Sequence, residues 1–143
     1  GKNPYGYRAM GDLSVFVFFG LVAITGSYLL YSKSLDLNTI PIAIAFGLLS
    51  AAVLNVNNIR DIETDIKANK ITLAARLGKN KAILYQLIII SIAYILIFVE
   101  TARFSSNSIF ASIAIALIFI FIILKNLKLK TTLLNTKKIQ VNV

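Results

Sequence analysis

The sequence predicts an all-α fold, a polytopic transmembrane helical bundle, and three observations carry that prediction. The 143-residue chain is 57% hydrophobic, with a mean hydropathy of +0.79. Its apolar residues gather into four long runs, 13–31, 39–56, 82–99 and 108–124, each near the roughly 17 to 25 residues that a spanning helix requires. None of the four runs contains an acid, since Asp12, Asp36 and Glu100 stand at their ends.

The first run follows Pro4, Tyr5, Gly6, Tyr7 and Arg8, is longer than the apolar core of a signal peptide and lacks a small-residue cleavage site, so it is expected to stay in the protein. A short connection carrying Lys33 leads to the second run, and another carrying Arg103 separates the third from the fourth. Of the 15 Lys and Arg residues, the other 13 lie in the N-terminal segment, the central loop 57–81 and the C-terminal tail. The positive-inside rule puts those three regions in the cytoplasm, with both termini on one side as an even number of spans requires. The expected location is a bacterial cytoplasmic membrane.

The net charge of +9 does not point to nucleic acid, because most of the bases flank spans, where anionic lipid head groups are the default partner. The basic stretch 125–138 reads as an interfacial anchor. The absence of His and Cys excludes zinc sites, thiol nucleophiles and disulfides.

The polar chemistry is concentrated in the one long connection, 57–81. Continued as a helix at about 100° per residue, Asn57, Asn58, Asp61 and Asp65 share a face, while Ile59, Ile62 and Ile66 point elsewhere. Glu63 and Lys67 are spaced to support the helix, but Asp61 and Asp65 are like charges four apart and destabilise it unless a cation sits between them. Hard oxygen donors of this kind suit Mg²⁺, which binds through one or two carboxylates plus substrate phosphates. The second half of the loop, 69–78, reads as a short amphipathic helix stopped by Gly78, with Leu73 and Leu77 docked on the membrane boundary or on neighbouring helices. Docking of that kind holds Lys67, Lys70 and Arg76 near the acids, a combination that suits a diphosphate.

The stretch Asn57-Asn-Ile-Arg-Asp-Ile-Glu-Thr-Asp65, followed by Lys70-Ile-Thr-Leu-Ala-Ala-Arg-Leu-Gly78, resembles the second Asp-rich motif of the UbiA superfamily of intramembrane prenyltransferases. Asn3-Pro-Tyr-Gly-Tyr-Arg8, Gly11-Asp-Leu and Val15-Phe-Val-Phe-Phe-Gly20 are similar to the branch that acts on 1,4-dihydroxy-2-naphthoate. The resemblance covers residues 3–100 and implies a bundle of about nine spans around a polar cavity, of which about four are present here. It implies transfer of a polyprenyl group from a polyprenyl diphosphate to the aromatic acceptor with loss of CO₂, giving demethylmenaquinone.

By the same resemblance, Asn58, Asp61 and Asp65 are metal ligands with Asn57 as a helper, and Asp61, Asp65, Lys70 and Arg76 form the catalytic set. Arg60 and Lys67 are assigned to the diphosphate, and Tyr5, Tyr7 and Arg8 to the acceptor side. Asn55 lies outside the matching face. The first Asp-rich motif of the family, N-x-x-x-D-x-x-x-D, is absent, so the chain reads as a C-terminal half that is inactive without its N-terminal partner portion.

Three other readings fit parts of this sequence. A prenyltransferase for another aromatic acceptor keeps the same loop chemistry. The CDP-alcohol phosphatidyltransferases also use D-x-x-x-D, but position 57 is Asn and no Asp-Gly-x-x-Ala-Arg precedes it. A non-enzymatic four-helix membrane protein with a cation site is disfavoured as a conduction path by the lack of acids within the runs.

Overall fold

The computed structural model describes residues 9–104, together with Phe110, Ile113 and Leu117. The chain divides into two compact units, Gly1–Glu100 and Thr101–Val143. The described residues form helices and no strand. The all-α membrane fold is therefore as the composition predicts.

Among the described residues, three helices are long and apolar enough to cross a membrane: Gly11–Ser32, Leu37–Arg60 and Lys79–Arg103. They contain the first three predicted runs. The fourth run and the basic tail lie outside the described residues, apart from the helical Phe110, Ile113 and Leu117.

Helix α1, Gly11–Ser32, holds a π-type stretch over Phe16–Thr25 and stops where Lys33 turns left-handed at φ 59°. Asp36 then organises the reversal: its carboxylate accepts the Asn38 backbone N–H at 2.9 Å and caps a 3₁₀ turn, Leu37–Thr39. Helix α2, Ile40–Arg60, follows, with Pro41 in its first turn, where a missing N–H costs no hydrogen bond.

Helices α1 and α2 meet along a seam of small residues. Ala43, Gly47 and Ala51 recur every fourth residue of α2 and so share one face. Against them sits Gly20 of α1, where an added Cβ would lie 2.5 Å from Gly47 Cα and 2.6 Å from the Ala43 carbonyl oxygen. Lipid offers no hydrophobic drive for two apolar helices to associate, so close backbone approach through small residues supplies dispersion contact instead.

Two short helices, α3 (Ile62–Lys67) and α4 (Leu73–Leu77), connect α2 to α5, Lys79–Phe104. Gly78, at φ 74°, ends α4 as predicted. Helix α5 packs on α2 through Ala51, Ala52 and Ile89. A polar clasp reinforces that contact: the fully buried Asn55 Nδ2 donates to the Ala82 carbonyl at 3.2 Å and to Gln86 Oε1 at 2.7 Å.

The outward faces stay apolar, with Phe18, Phe19, Leu84 and Ile95 all exposed as lipid contact requires. Asp12 and Glu100 stand near the ends of their helices, as expected from the apolar runs, and both are buried.

Candidate functional site

The loop between α2 and α5 is not the uninterrupted helix that its spacing suggests. The helical path breaks at Asp61, whose φ of −99° and ψ of 11° separate α2 from α3. The break alters which groups converge. Asn58 and Asp65 are buried, Asn57 is exposed, and Asp61 is partly exposed.

Each acid has a basic side chain of its own. Arg60 Nε and Nη2 donate to the two carboxylate oxygens of Asp61 at 2.8 and 3.0 Å. Lys70 Nζ donates to both oxygens of Asp65 at 3.1 and 3.2 Å. The like-charge conflict between the two acids is met in this structure by side-chain cations. Hydrogen bonding to Arg60 is the main influence holding the Asp61 carboxyl below the usual carboxylate range, and the positive charge of Lys70 acts in the same direction.

A tight backbone reversal returns Lys70 to Asp65. Asn69 adopts φ 54°, a left-handed conformation that Asn tolerates better than most residues, and the Lys70 backbone N–H donates to the Asp65 carbonyl at 2.8 Å. Thr72 then caps α4, its Oγ1 accepting the Ala75 N–H at 3.2 Å. The Ala9 N–H donates to the Ile71 carbonyl at 2.8 Å, tying the approach to α1 onto this loop.

Among the described residues, three cavities open around these groups. The first, about 360 Å³, is walled by Ile66, Asn69 and Ile71 and carries the two bases Lys70 and Arg76. The second, about 90 Å³, brings Asn58 and Lys70 together behind Leu54 and Leu73. The third, about 340 Å³, lies between α1, α2, α4 and α5 and has Asp12 and Tyr85 on its wall.

Lys70 thus links Asp65, Asn58 and Arg76, all of them predicted site residues. Leu73 is half-buried and lines the second and third cavities together with residues of α1 and α2. Lys67 is exposed and lines none of the three cavities; Arg60 is exposed and committed to Asp61. Tyr5, Tyr7 and Arg8 lie outside the described residues.

Among the described residues no three Asp, Glu, His or Cys side chains gather as a self-sufficient metal cage. The oxygen donors that this loop offers are the Asp61 and Asp65 carboxylates, each engaged by a base, and the side chain of the buried Asn58.

Sequence reasoning passed over Asp12, Tyr85 and Thr72. Thr72 was legible as an N-cap before Leu73-Ala-Ala, and Asp12 as an acid one residue into a spanning helix, which needs a partner or a function.

Residues 3–141 match the UbiA prenyltransferase family. The chain belongs to that family.

This UbiA chain is 50% identical over 113 residues to the 1,4-dihydroxy-2-naphthoate octaprenyltransferase of Haemophilus influenzae, a match that covers 77% of the chain and 37% of the relative. The Mycobacterium tuberculosis protein of the same name is 44% identical over 99 residues, covering 69% of the chain and 34% of the relative. The Escherichia coli protein of that name is 49% identical over 82 residues, covering 57% and 27%. In these matches the UbiA chain spans between about a quarter and little more than a third of the relatives' length. No solved structure matches it.

Proposed function

We propose that this chain supplies one half of the active site of an aromatic prenyltransferase, which moves a polyprenyl group from a polyprenyl diphosphate to 1,4-dihydroxy-2-naphthoate with loss of CO₂ and forms demethylmenaquinone in its reduced, quinol form. The observation that carries the reading is the placement of Lys70. Its ammonium pairs with the buried Asp65 and also lines, with Arg76, a 360 Å³ cavity, in a chain that belongs to the UbiA family.

Lys70 and Arg76 bind the diphosphate oxygens of the donor, where charge grows as the C1–O bond breaks and the leaving group takes the electron pair. Arg60 and Lys67 add positive charge at the rim. The ring carbon that bears the carboxylate attacks C1; the bond to the carboxyl carbon then breaks, its electrons restore the aromatic ring, and CO₂ leaves.

Asn58, Asp61 and Asp65, with Asn57 beside them, would hold a Mg²⁺ ion, which would supply neutralising charge to the diphosphate. Asp65 orients Lys70 meanwhile. The acceptor side includes Tyr5, Tyr7 and Arg8. The other Asp-rich half of the site comes from the remainder of the enzyme, and the loop and both termini face the cytoplasm of a bacterial cell.

The test uses the complete reading frame expressed in membranes with dihydroxynaphthoate, a polyprenyl diphosphate and Mg²⁺. Mg²⁺-dependent CO₂ release is expected from the parent, with a loss of at least about a hundredfold in Asp61→Ala and Asp65→Ala. Activity that survives both substitutions would remove the acids from the site, and a parent inert with every aromatic acceptor would sink the enzyme reading.

A further inference from the structure

The third cavity carries a feature that the diphosphate loop does not explain. Asp12 is only 6% exposed, and its Oδ2 is buried without a hydrogen-bond partner. An acid in the first turn of α1 benefits from the helix dipole, but that does not satisfy the oxygen, and a buried unpaired carboxylate oxygen is costly. Such an atom calls for a donor.

The surroundings define which donor. The cavity holds about 340 Å³, within the size range of small-molecule sites, and its walls include Leu13, Phe16, Leu48 and Ala51. Tyr85 also lines it, and its hydroxyl interacts with the Asp12 carboxylate. Apolar walls around one carboxylate and one phenol suit a flat ring with a hydroxyl edge. They suit a divalent cation poorly, which needs several oxygen ligands, and they repel a second carboxylate.

The cavity also has a direction. It shares Ala9 and Leu73 as a common wall with the 90 Å³ cavity that Asn58 and Lys70 line. A ring placed here has its hydroxyl end toward an acid and its other end toward a base.

We infer that this cavity seats the aromatic acceptor, with Asp12 accepting a hydrogen bond from a ring hydroxyl and the acceptor carboxylate turned toward Lys70. The inference rests on the prenyltransferase reading and adds the residue that selects and orients the hydroxyaromatic substrate. Tyr85 acts as a positioning residue through its contact with Asp12.

The experiment measures acceptor and donor KM separately in membranes that carry the complete reading frame, for the parent, Asp12→Asn and Tyr85→Phe. Each is assayed with dihydroxynaphthoate and with its mono-O-methyl ethers. Asp12→Asn is expected to raise acceptor KM by roughly tenfold to a hundredfold, Tyr85→Phe by about threefold, with donor KM unchanged in both. The parent is expected to reject one methyl ether by a similar factor, and Asp12→Asn to lose that discrimination.

An unchanged acceptor KM, or equal discrimination in parent and variant, would overturn the inference and leave Asp12 a structural acid satisfied by water. If Asp12→Asn does not accumulate, Tyr85→Phe, which keeps the ring and removes only the hydroxyl, decides on the same criteria. A parent active on dihydroxynaphthoate with unaffected variants sinks this inference alone. A parent inactive on every hydroxyaromatic acceptor sinks the prenyltransferase reading with it.

Discussion

Asp61 and Asp65 are chemically identical side chains four residues apart, yet they face different tasks. Asp65 is buried against Lys70, whereas Asp61 lies at a helix break with Arg60 across it. Because Arg60 lowers the Asp61 pKa, the contact contributes its stability above the unfolded value near pH 3.9, and that contribution disappears as pH falls through the lower folded value. In metal-free buffer, the difference in thermal midpoint between the parent and Asp61→Asn should stay constant from about pH 5 to 8 and vanish in stronger acid. A difference that instead changes between pH 6 and 8 would mean that Arg60 is not its partner.

The residue types of the site were legible in the sequence because acids, amides and bases were packed into one connection. Their pairing was not legible. It depends on the break at Asp61 and the left-handed turn at Asn69, and neither disturbs the spacing from which a helical face is read. For the same reason Asn57 joined the predicted face on paper and turns out exposed.

At the scale of elements, the α1–α2 seam makes the sharpest claim. Gly20 and Gly26 both lie in α1, but only Gly20 has a neighbour where its Cβ would go; within 4 Å of a Cβ at Gly26 there is nothing. Gly20→Ala should therefore destabilise the helix pair by roughly 1 to 3 kcal/mol or more, as overpacking does. Gly26→Ala should be neutral or stabilise by up to about 1 kcal/mol. Thermal unfolding in detergent separates the two, and equal effects would show that the helices do not meet at this crossing.

Apolar length alone predicts spans 39–56 and 82–99, and both helices are longer. Asn58 and Arg60 extend α2, and Lys79 and Glu100 extend α5, because backbone hydrogen bonding continues after hydrophobicity ends. The seam itself was hidden among Ala and Gly residues that look unremarkable in a hydropathy scan, although their four-residue repeat carried the signal.

For the whole molecule, orientation is the property the sequence predicts from charge and the fold leaves to experiment. The chain has no Cys, so single-cysteine variants provide clean probes. Asn69→Cys, in the loop, should react with a membrane-impermeant thiol reagent only from the cytoplasmic side, and Lys33→Cys, after α1, only from the other. Both labelling from one side would overturn the assigned topology.

The Ala9–Ile71 hydrogen bond ties the two ends of this arrangement together. Residue 9 stands three positions before Asp12, and residue 71 follows Lys70, so one main-chain bond yokes the entrance of α1 to the arm that bears the ammonium. The segment that carries Lys70 and the helix end that carries Asp12 therefore cannot shift independently without breaking that bond.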